Sequence, residues 1–261
     1  MVSGGLTRKT SDAIFAKVKA DVGHAKVLWP EPYCRDCFDS LLKFLLECCW
    51  TFDEETSEVT QIPDLPQTHF TARLWYESRR TGKPLLIEKS RRILISWIVR
   101  ACRLWAMGLK PEMCVMAGLT LPKAADHTWR VAWLYRQARE HLWPYLEDCK
   151  VRATQDGGYE EHKCSTVTLP NGSVLHSLNQ QSDVFQGSGY AAIDLEELSL
   201  YKRPAKMWGQ AQTITAGRAD VIGGHVVGIV NASEHSEWQE IKKLRKVLRN
   251  LDPSWSPTAQ G

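Results

Sequence analysis

Pro84 to Met107 reads PLLIEKSRRILISWIVRACRLWAM, and this stretch decides the fold. Its front, Leu85-Leu86-Ile87, is a short apolar run of the kind found in a strand buried on both faces. Charged and hydroxyl residues follow: Glu88, Lys89, Ser90, Arg91 and Arg92. From Ser96 the apolar spacing turns helical. Ile98, Val99, Cys102, Trp105 and Ala106 share one side, and Arg100 and Arg103 lie one turn apart. Strand, short polar loop and helix is the layout that holds an anion at a helix N-terminus, where free N–H groups and the helix dipole favour negative charge. The stretch reads as a degenerate phosphate-binding loop, with Lys89, Ser90, Arg91, Arg92 and Ser96 as candidate contacts. Of the usual G-x-x-x-x-G-K-[ST] pattern only the hydroxyl, Ser96, keeps its place. Lys89 stands at the first glycine, Leu94 at the second and Ile95 at the lysine. The plain alternative is a basic turn between a buried strand and a helix.

Working outward, further buried runs alternate with helical ones. Met113 to Gly118 predicts a second strand, followed by a long helix over about Ala124 to Leu142. That helix turns Arg130, Arg136 and Arg139 to one face. Ser165 to Leu169 and Ser173 to Leu178 flank Pro170-Asn171-Gly172, a hairpin signal. Ala191 to Leu195 predicts a strand ending in acids, and Val226 to Val230 another ending at Asn231-Ala232-Ser233. Upstream, helices are expected over about 11–27, 34–50 and 67–80, with an acidic polar connector over 53–60. A basic helix is expected over 237–251. Residues 1–60 read as a helical N-terminal extension, 61–250 as the main domain and 251–261 as a loose tail. Alternating strands and helices predict an α/β fold, P-loop NTPase-like, with a mainly parallel central sheet flanked by helices.

In parallel sheets ligands sit at the carboxyl ends of the strands. That brings Lys89, the acids at 194–197 and Asn231 toward one edge. A nucleoside triphosphatase needs one carboxylate for a hydrated magnesium ion and a neighbour to activate water. Strand alternation puts Asp194 and Glu196 on one face, and Glu197 begins the next turn. The sequence leaves open which acid does which job. Asn231 is placed to sense a terminal phosphate; it or Ser233 equally suits a helix N-cap.

The 261 residues carry a net charge of only +3, so any nucleic-acid surface must be local. The start, Met-Val-Ser-Gly-Gly, does not read as a signal peptide, and no run approaches a membrane span. A soluble intracellular protein is expected. The eight cysteines are scattered. Cys34, Cys37, Cys48 and Cys49 fit an amphipathic helix burying thiols better than a zinc site.

Four stretches together resemble the ATPase domain of the large terminase subunit, the DNA-packaging motor of tailed phages. Glu88 to Trp97 is similar to those phosphate loops whose lysine stands at the front. Val167-Thr-Leu-Pro-Asn-Gly-Ser173 is similar to the hairpin before the second site. Phe185-Gln-Gly187, Glu196-Glu-Leu-Ser-Leu-Tyr201 and Trp208 resemble the acidic motif, and Gly228-Ile-Val-Asn-Ala-Ser233 the coupling motif. The match spans about 62–240 in order.

The resemblance implies ATP and Mg2+ as ligands and 61–250 as a P-loop ATPase domain. Lys89 with Arg91 or Arg92 would hold the β- and γ-phosphates, and Ser96 would ligate magnesium. Asp194 or Glu196 would position the ion's waters. Glu197 would activate the attacking water, with Glu196 beside it in the catalytic pair. Implied partners are double-stranded DNA, a portal protein, a small terminase subunit and further copies in a ring on the procapsid, in the host cytoplasm and away from membranes. A ring would add an arginine from a neighbouring copy, with Arg130, Arg136 and Arg139 as candidates. The chain departs from the family at Leu94, where glycine is usual, at Glu196, where Asp is usual, and at Gln186, often arginine. The family's nuclease domain is not expected within these residues, which implies either a motor fragment or a nuclease encoded elsewhere. Two other classes stand beside this one: another P-loop motor such as a helicase, and a non-catalytic relative that binds DNA or a portal.

Overall fold

The hydrophobic pattern resolves into a sheet sandwiched between two unequal helical layers. The computed structural model describes residues 27–52, 56–89, 94–153, 164–180, 189–216, 225–231 and 242. The helices expected over 11–27 and 237–251 fall almost wholly outside these residues.

The chain first forms helix α1 (Phe38–Cys48) and a two-stranded hairpin, β1 (Trp50–Phe52) with β2 (Val59–Gln61). The expected polar connector thus supplies a strand, and the hairpin crosses the 60/61 boundary. Helix α2 (Pro66–Thr81) has proline in its first turn and ends at Gly82, whose φ of 67° is the left-handed cap that glycine adopts freely. Next come β3 (Leu85–Lys89), α3 (Ile95–Leu109), β4 (Met113–Gly118) and α4 (Leu121–Leu142). Thr120 caps α4, its side chain accepting from the Lys123 N–H. Then follow β5 (Lys150–Ala153), β6 (Cys164–Thr168), β7 (Val174–Asn179), β8 (Ala192–Leu195), a 3-10 turn (Leu198–Leu200), α5 (Pro204–Ala216) and β9 (His225–Asn231).

Seven strands form one sheet in the order β3-β9-β8-β4-β7-β6-β5. The first five run parallel. β6 and β5 close the sheet antiparallel, and β6 turns into β7 through the Asn171-Gly172 hairpin, with Gly172 at φ 89°. This is the α/β, mainly parallel arrangement the sequence predicts.

Strand alternation sorts the core. Cys114, Met116, Ala192, Val227 and Ile229 face α1 to α4. Val115, Ala117, Ile193, Leu195, Val226 and Val230 face α5 and the 3-10 turn. Within α3 every residue but Ser96 is buried. A helix that is apolar nearly all round belongs in the centre of a fold. Here it also takes two arginines, Arg100 and Arg103, into the interior. Cys48 and Cys49 pack into the same core.

Candidate functional site

Three parallel strand ends meet where the sequence predicts. β9 lies between β3 and β8, and Asn231 is in register with Lys89. Glu196 leaves β8 with its N–H donating to the Ala117 carbonyl at 2.9 Å. Ser96, in the first turn of α3, donates from Oγ to Glu196 Oε2 at 3.3 Å. The Asn231 Oδ1 is buried and has no hydrogen-bond partner among the described residues. Lys89, Ser96, Glu196, Glu197 and Asn231 all line one cavity of about 1010 Å³. Ser90, Arg91 and Arg92 lie outside the described residues.

Asp194 is the exception among the predicted residues. It sits two residues up the strand, on the face under α3, where Arg103 Nε and Nη2 donate to its two oxygens at 2.9 and 2.7 Å. Both side chains are buried. The alternation that puts Asp194 and Glu196 on one face is correct, but only Glu196 reaches the cavity. In this structure Asp194 is the counter-ion of Arg103 and does not line the cavity.

Helical geometry explains this pairing. Ser96, Arg100 and Arg103 lie at spacings of four and three, a single stripe of α3. The stripe runs along β8, so Arg103 meets Asp194, while Arg100 and Ser96 meet Glu196. Arg100 Nη2 is 3.1 Å from Glu196 Oε1. It also makes a very short contact with His127 Nδ1 from α4. Burial holds the His127 pKa well below the ordinary histidine value, helped by the Arg100 and Arg130 charges. Its imidazole is then neutral and able to accept.

Among the described residues the cavity wall carries four cations, Lys89, Arg100, Lys123 and Arg130, against three carboxylates, Asp126, Glu196 and Glu197. Burial lowers the pKa values of Lys89 and Arg100, although Glu196 pulls both up. Burial raises that of Glu196, against Arg100 and Lys89. All three shift toward the neutral form, the mark of a charged cluster with too little solvent and too few partners. An anion carrying its own charge and oxygens suits such a cluster.

Glu197 is held at the rim by Lys123, whose Nζ lies 2.8 Å from Oε2. Its backbone is left-handed, φ 52° and ψ 38°. Non-glycine residues in that region are uncommon and cluster at functional sites.

Arg130 pairs with Asp126 at 3.0 Å and stands over the Trp97 ring at 5.2 Å, facing the chain's own cavity. Arg136 pairs with Asp148, and Arg139 donates to the Leu146 carbonyl at 2.7 Å. Sequence reasoning did not assign Arg100, Lys123 or His127 to the site. The spacing of Arg100 four residues after Ser96 was the available signal. Lys123 and His127 carried none, because only the sheet order brings α4 to this edge. The hairpin β1–β2 adds Thr51, Phe52, Thr60 and Gln61 to the wall.

No protein-family model matches the sequence, and no curated protein sequence matches it significantly. Among solved structures, the large terminase of bacteriophage HK97 superposes with a TM-score of 0.57 at 13% identity, over 86% of this chain and 45% of that one. The large terminase ATPase domain of Thermus phage P74-26, in a variant form, aligns at 12% identity over 66% of this chain and 84% of that one, with a TM-score of 0.39. At such identity the likeness to the HK97 protein is one of fold: this chain shares the architecture of the matched half of a large terminase.

Proposed function

We propose that the chain is the ATPase motor domain of a tailed-phage large terminase, hydrolysing ATP to drive double-stranded DNA into a procapsid. The observation that carries this reading is the meeting of Lys89, Ser96, Glu196 and Asn231 in one net-cationic cavity at the carboxyl ends of β3, β8 and β9. The terminase-like fold around it adds weight.

On this reading Lys89, with Ser90, Arg91 and Arg92 of the loop, binds the β- and γ-phosphates. The Ser96 hydroxyl and Glu196 carboxylate, 3.3 Å apart, offer the hard oxygen ligands and single carboxylate that magnesium takes beside substrate phosphates. Bound magnesium would neutralise charge on the phosphates. Glu197 accepts the proton of the attacking water, and the left-handed backbone aims its carboxylate into the cavity. Asn231, whose buried carbonyl oxygen has no partner among the described residues, accepts from and so orders a water beside Lys89, while its amide nitrogen can donate to the terminal phosphate. Most of the rate enhancement in such a site comes from positioning and charge stabilisation.

The partners that follow are double-stranded DNA, gripped through its phosphates, a portal protein, a small terminase subunit and further copies in a ring on the procapsid. The work would be done in the host cytoplasm, with transient docking on the procapsid. No helix among the described residues is long and apolar enough to cross a membrane.

A second reading, a relative impaired in hydrolysis, has one observation behind it: Leu94, in place of the usual glycine, lines the cavity and packs partly on the core. The test is an ATPase assay with and without DNA on the wild type, Lys89→Ala and Glu197→Ala. Turnover is expected in the wild type and lost in both variants. Unchanged turnover in both would remove these roles, and nucleotide binding without wild-type turnover would favour the second reading.

A further inference from the structure

Among the described residues Arg100 has the most nitrogens without a hydrogen-bond partner of any buried arginine. Its guanidinium has five donors in a fixed fork, and only 1% of the residue is exposed. One nitrogen, Nη2, contacts His127 and lies 3.1 Å from Glu196 Oε1, an ion pair without hydrogen-bond geometry, since that oxygen has no hydrogen-bond partner among the described residues. Nε and Nη1 have no hydrogen-bond partner among the described residues. Arg103, one turn on, shows what a structural arginine looks like in the same helix: two hydrogen bonds to Asp194, a third contact to His225 at 3.2 Å, and only Nη1 without a partner among the described residues. Buried charges left partly unpaired are costly and persist where a ligand completes them.

Arg100 also faces the cavity on the same helical stripe as Ser96. Its counter-ion, Glu196, is the carboxylate that the Ser96 hydroxyl already shares. A metal ion at Ser96 and Glu196 would take up the carboxylate charge that now faces Arg100. The arginine would then need another anion within reach.

From this geometry we infer that Arg100 is an in-chain ligand for the terminal phosphate of a nucleoside triphosphate, held by Glu196 until nucleotide and metal arrive. This rests on the reading of the cavity as a triphosphate site. His127 fixes the starting position by accepting from Nη2, and Nε and Nη1, which stand on different edges of the guanidinium, each leave a separate donor for a phosphate oxygen. A planar, permanently charged fork suits a phosphate better than a lysine does. The swap makes the site self-neutralised when empty, and it makes binding of metal and of terminal phosphate mutually dependent.

The test is equilibrium titration of the full chain with a fluorescent ADP and a fluorescent non-hydrolysable ATP analogue, each with and without magnesium. Removing Arg100 alone would strand Glu196 in the interior, so the comparison uses Glu196→Gln against the double variant Arg100→Met/Glu196→Gln, with folding checked by thermal melting. In Glu196→Gln, compared without magnesium so that the lost metal ligand does not enter, the preference for the triphosphate over the diphosphate is expected to persist. In the double variant it is expected to fall by about tenfold or more, the size of a lost charge-assisted hydrogen bond, while ADP affinity changes little. A purely structural arginine would weaken both nucleotides alike or neither, and either result would overturn the inference. Failure of the wild type to bind any nucleotide would instead overturn the function itself, and the inference with it.

Discussion

Arg103 on α3 clasps Asp194 on β8 through two hydrogen bonds of 2.9 and 2.7 Å, with both side chains sealed from solvent. This clasp fixes α3, the helix that comes after β3, to the strand that delivers Glu196. Burial works against the Arg103 charge, but the Asp194 carboxylate beside it holds the guanidinium pKa above its ordinary value. Removing one partner leaves the other charged in the core. Arg103→Met or Asp194→Asn should therefore each cost about 3–5 kcal/mol of stability. The double apolar replacement, Arg103→Met/Asp194→Leu, should recover most of it, since a buried pair exchanged for packed hydrophobes is often neutral. Urea unfolding of the three variants measures this. Additive losses in the double variant would show that the pair contributes more than its mutual neutralisation.

Two glycines give opposite expectations for the same substitution. A Cβ at Gly118 would lie 2.7 Å from the Ala124 backbone nitrogen, in the first turn of α4, where no side chain can swing aside. Gly118→Ala should cost about 1–3 kcal/mol by overpacking. It should also weaken nucleotide binding, because α4 carries Lys123, His127 and Arg130 into the cavity. Gly209, inside α5, has open space around it, so Gly209→Ala should stabilise by about 0.5–1 kcal/mol through helix propensity. Melting curves for both, with nucleotide titration of the first, give the readout.

Acid should loosen the fold well above the range where carboxylates titrate. His176, on β7, is pushed down to about 4 by burial first and by the Arg152 charge second. Its ordinary value is 6.5, so between those two values the unfolded chain binds a proton that the folded chain refuses. Stability from this group is then complete above the ordinary value and is lost as pH falls toward the folded one, by about 1.4 kcal/mol for each pH unit. Burial also holds His127 and His225 well below the ordinary value, with the same sign. Glu196, pushed up, works in the opposite direction but stands alone against three histidines. The urea midpoint should fall from pH 7.5 to 5.5, and His176→Gln should reduce the fall. A midpoint that rises on acidification would contradict the assignment of these histidines as buried and neutral.

The sheet was legible because its signals are local. Met113 to Gly118 and Val226 to Val230 are short apolar runs that allow little else, and Asn171-Gly172 marks the hairpin by backbone preference. The strand ends at Lys89, Glu196 and Asn231 follow from the parallel arrangement. The β1–β2 hairpin was missed because Val59, Thr60 and Gln61 are exposed and carry no apolar alternation. Asp194 and Arg100 were misjudged or passed over for one common reason. A charged residue on a buried face is identified only by its partner, and those partners, Arg103 and Glu196, lie 91 and 96 residues away along the chain. Lys123 and His127 enter the site through the strand order, which no local pattern encodes.

Glu197 separates stability from activity most directly. Its left-handed backbone, φ 52°, costs a residue with a Cβ about 1–2 kcal/mol relative to a relaxed conformation. Its pair with Lys123 is half open to solvent, and such pairs return at most about 1 kcal/mol. Glu197→Gly relieves the strain and loses only the weaker interaction, so the variant should melt at the same temperature or slightly higher. If Glu197 is the base for the attacking water, the same variant should lose essentially all ATP turnover while still binding ATP. Glu197→Asn, which tolerates the left-handed region, should behave alike on both counts. A destabilised Glu197→Gly would mean that the carboxylate is there to hold the turn, and that the strain at this position serves the fold rather than the chemistry.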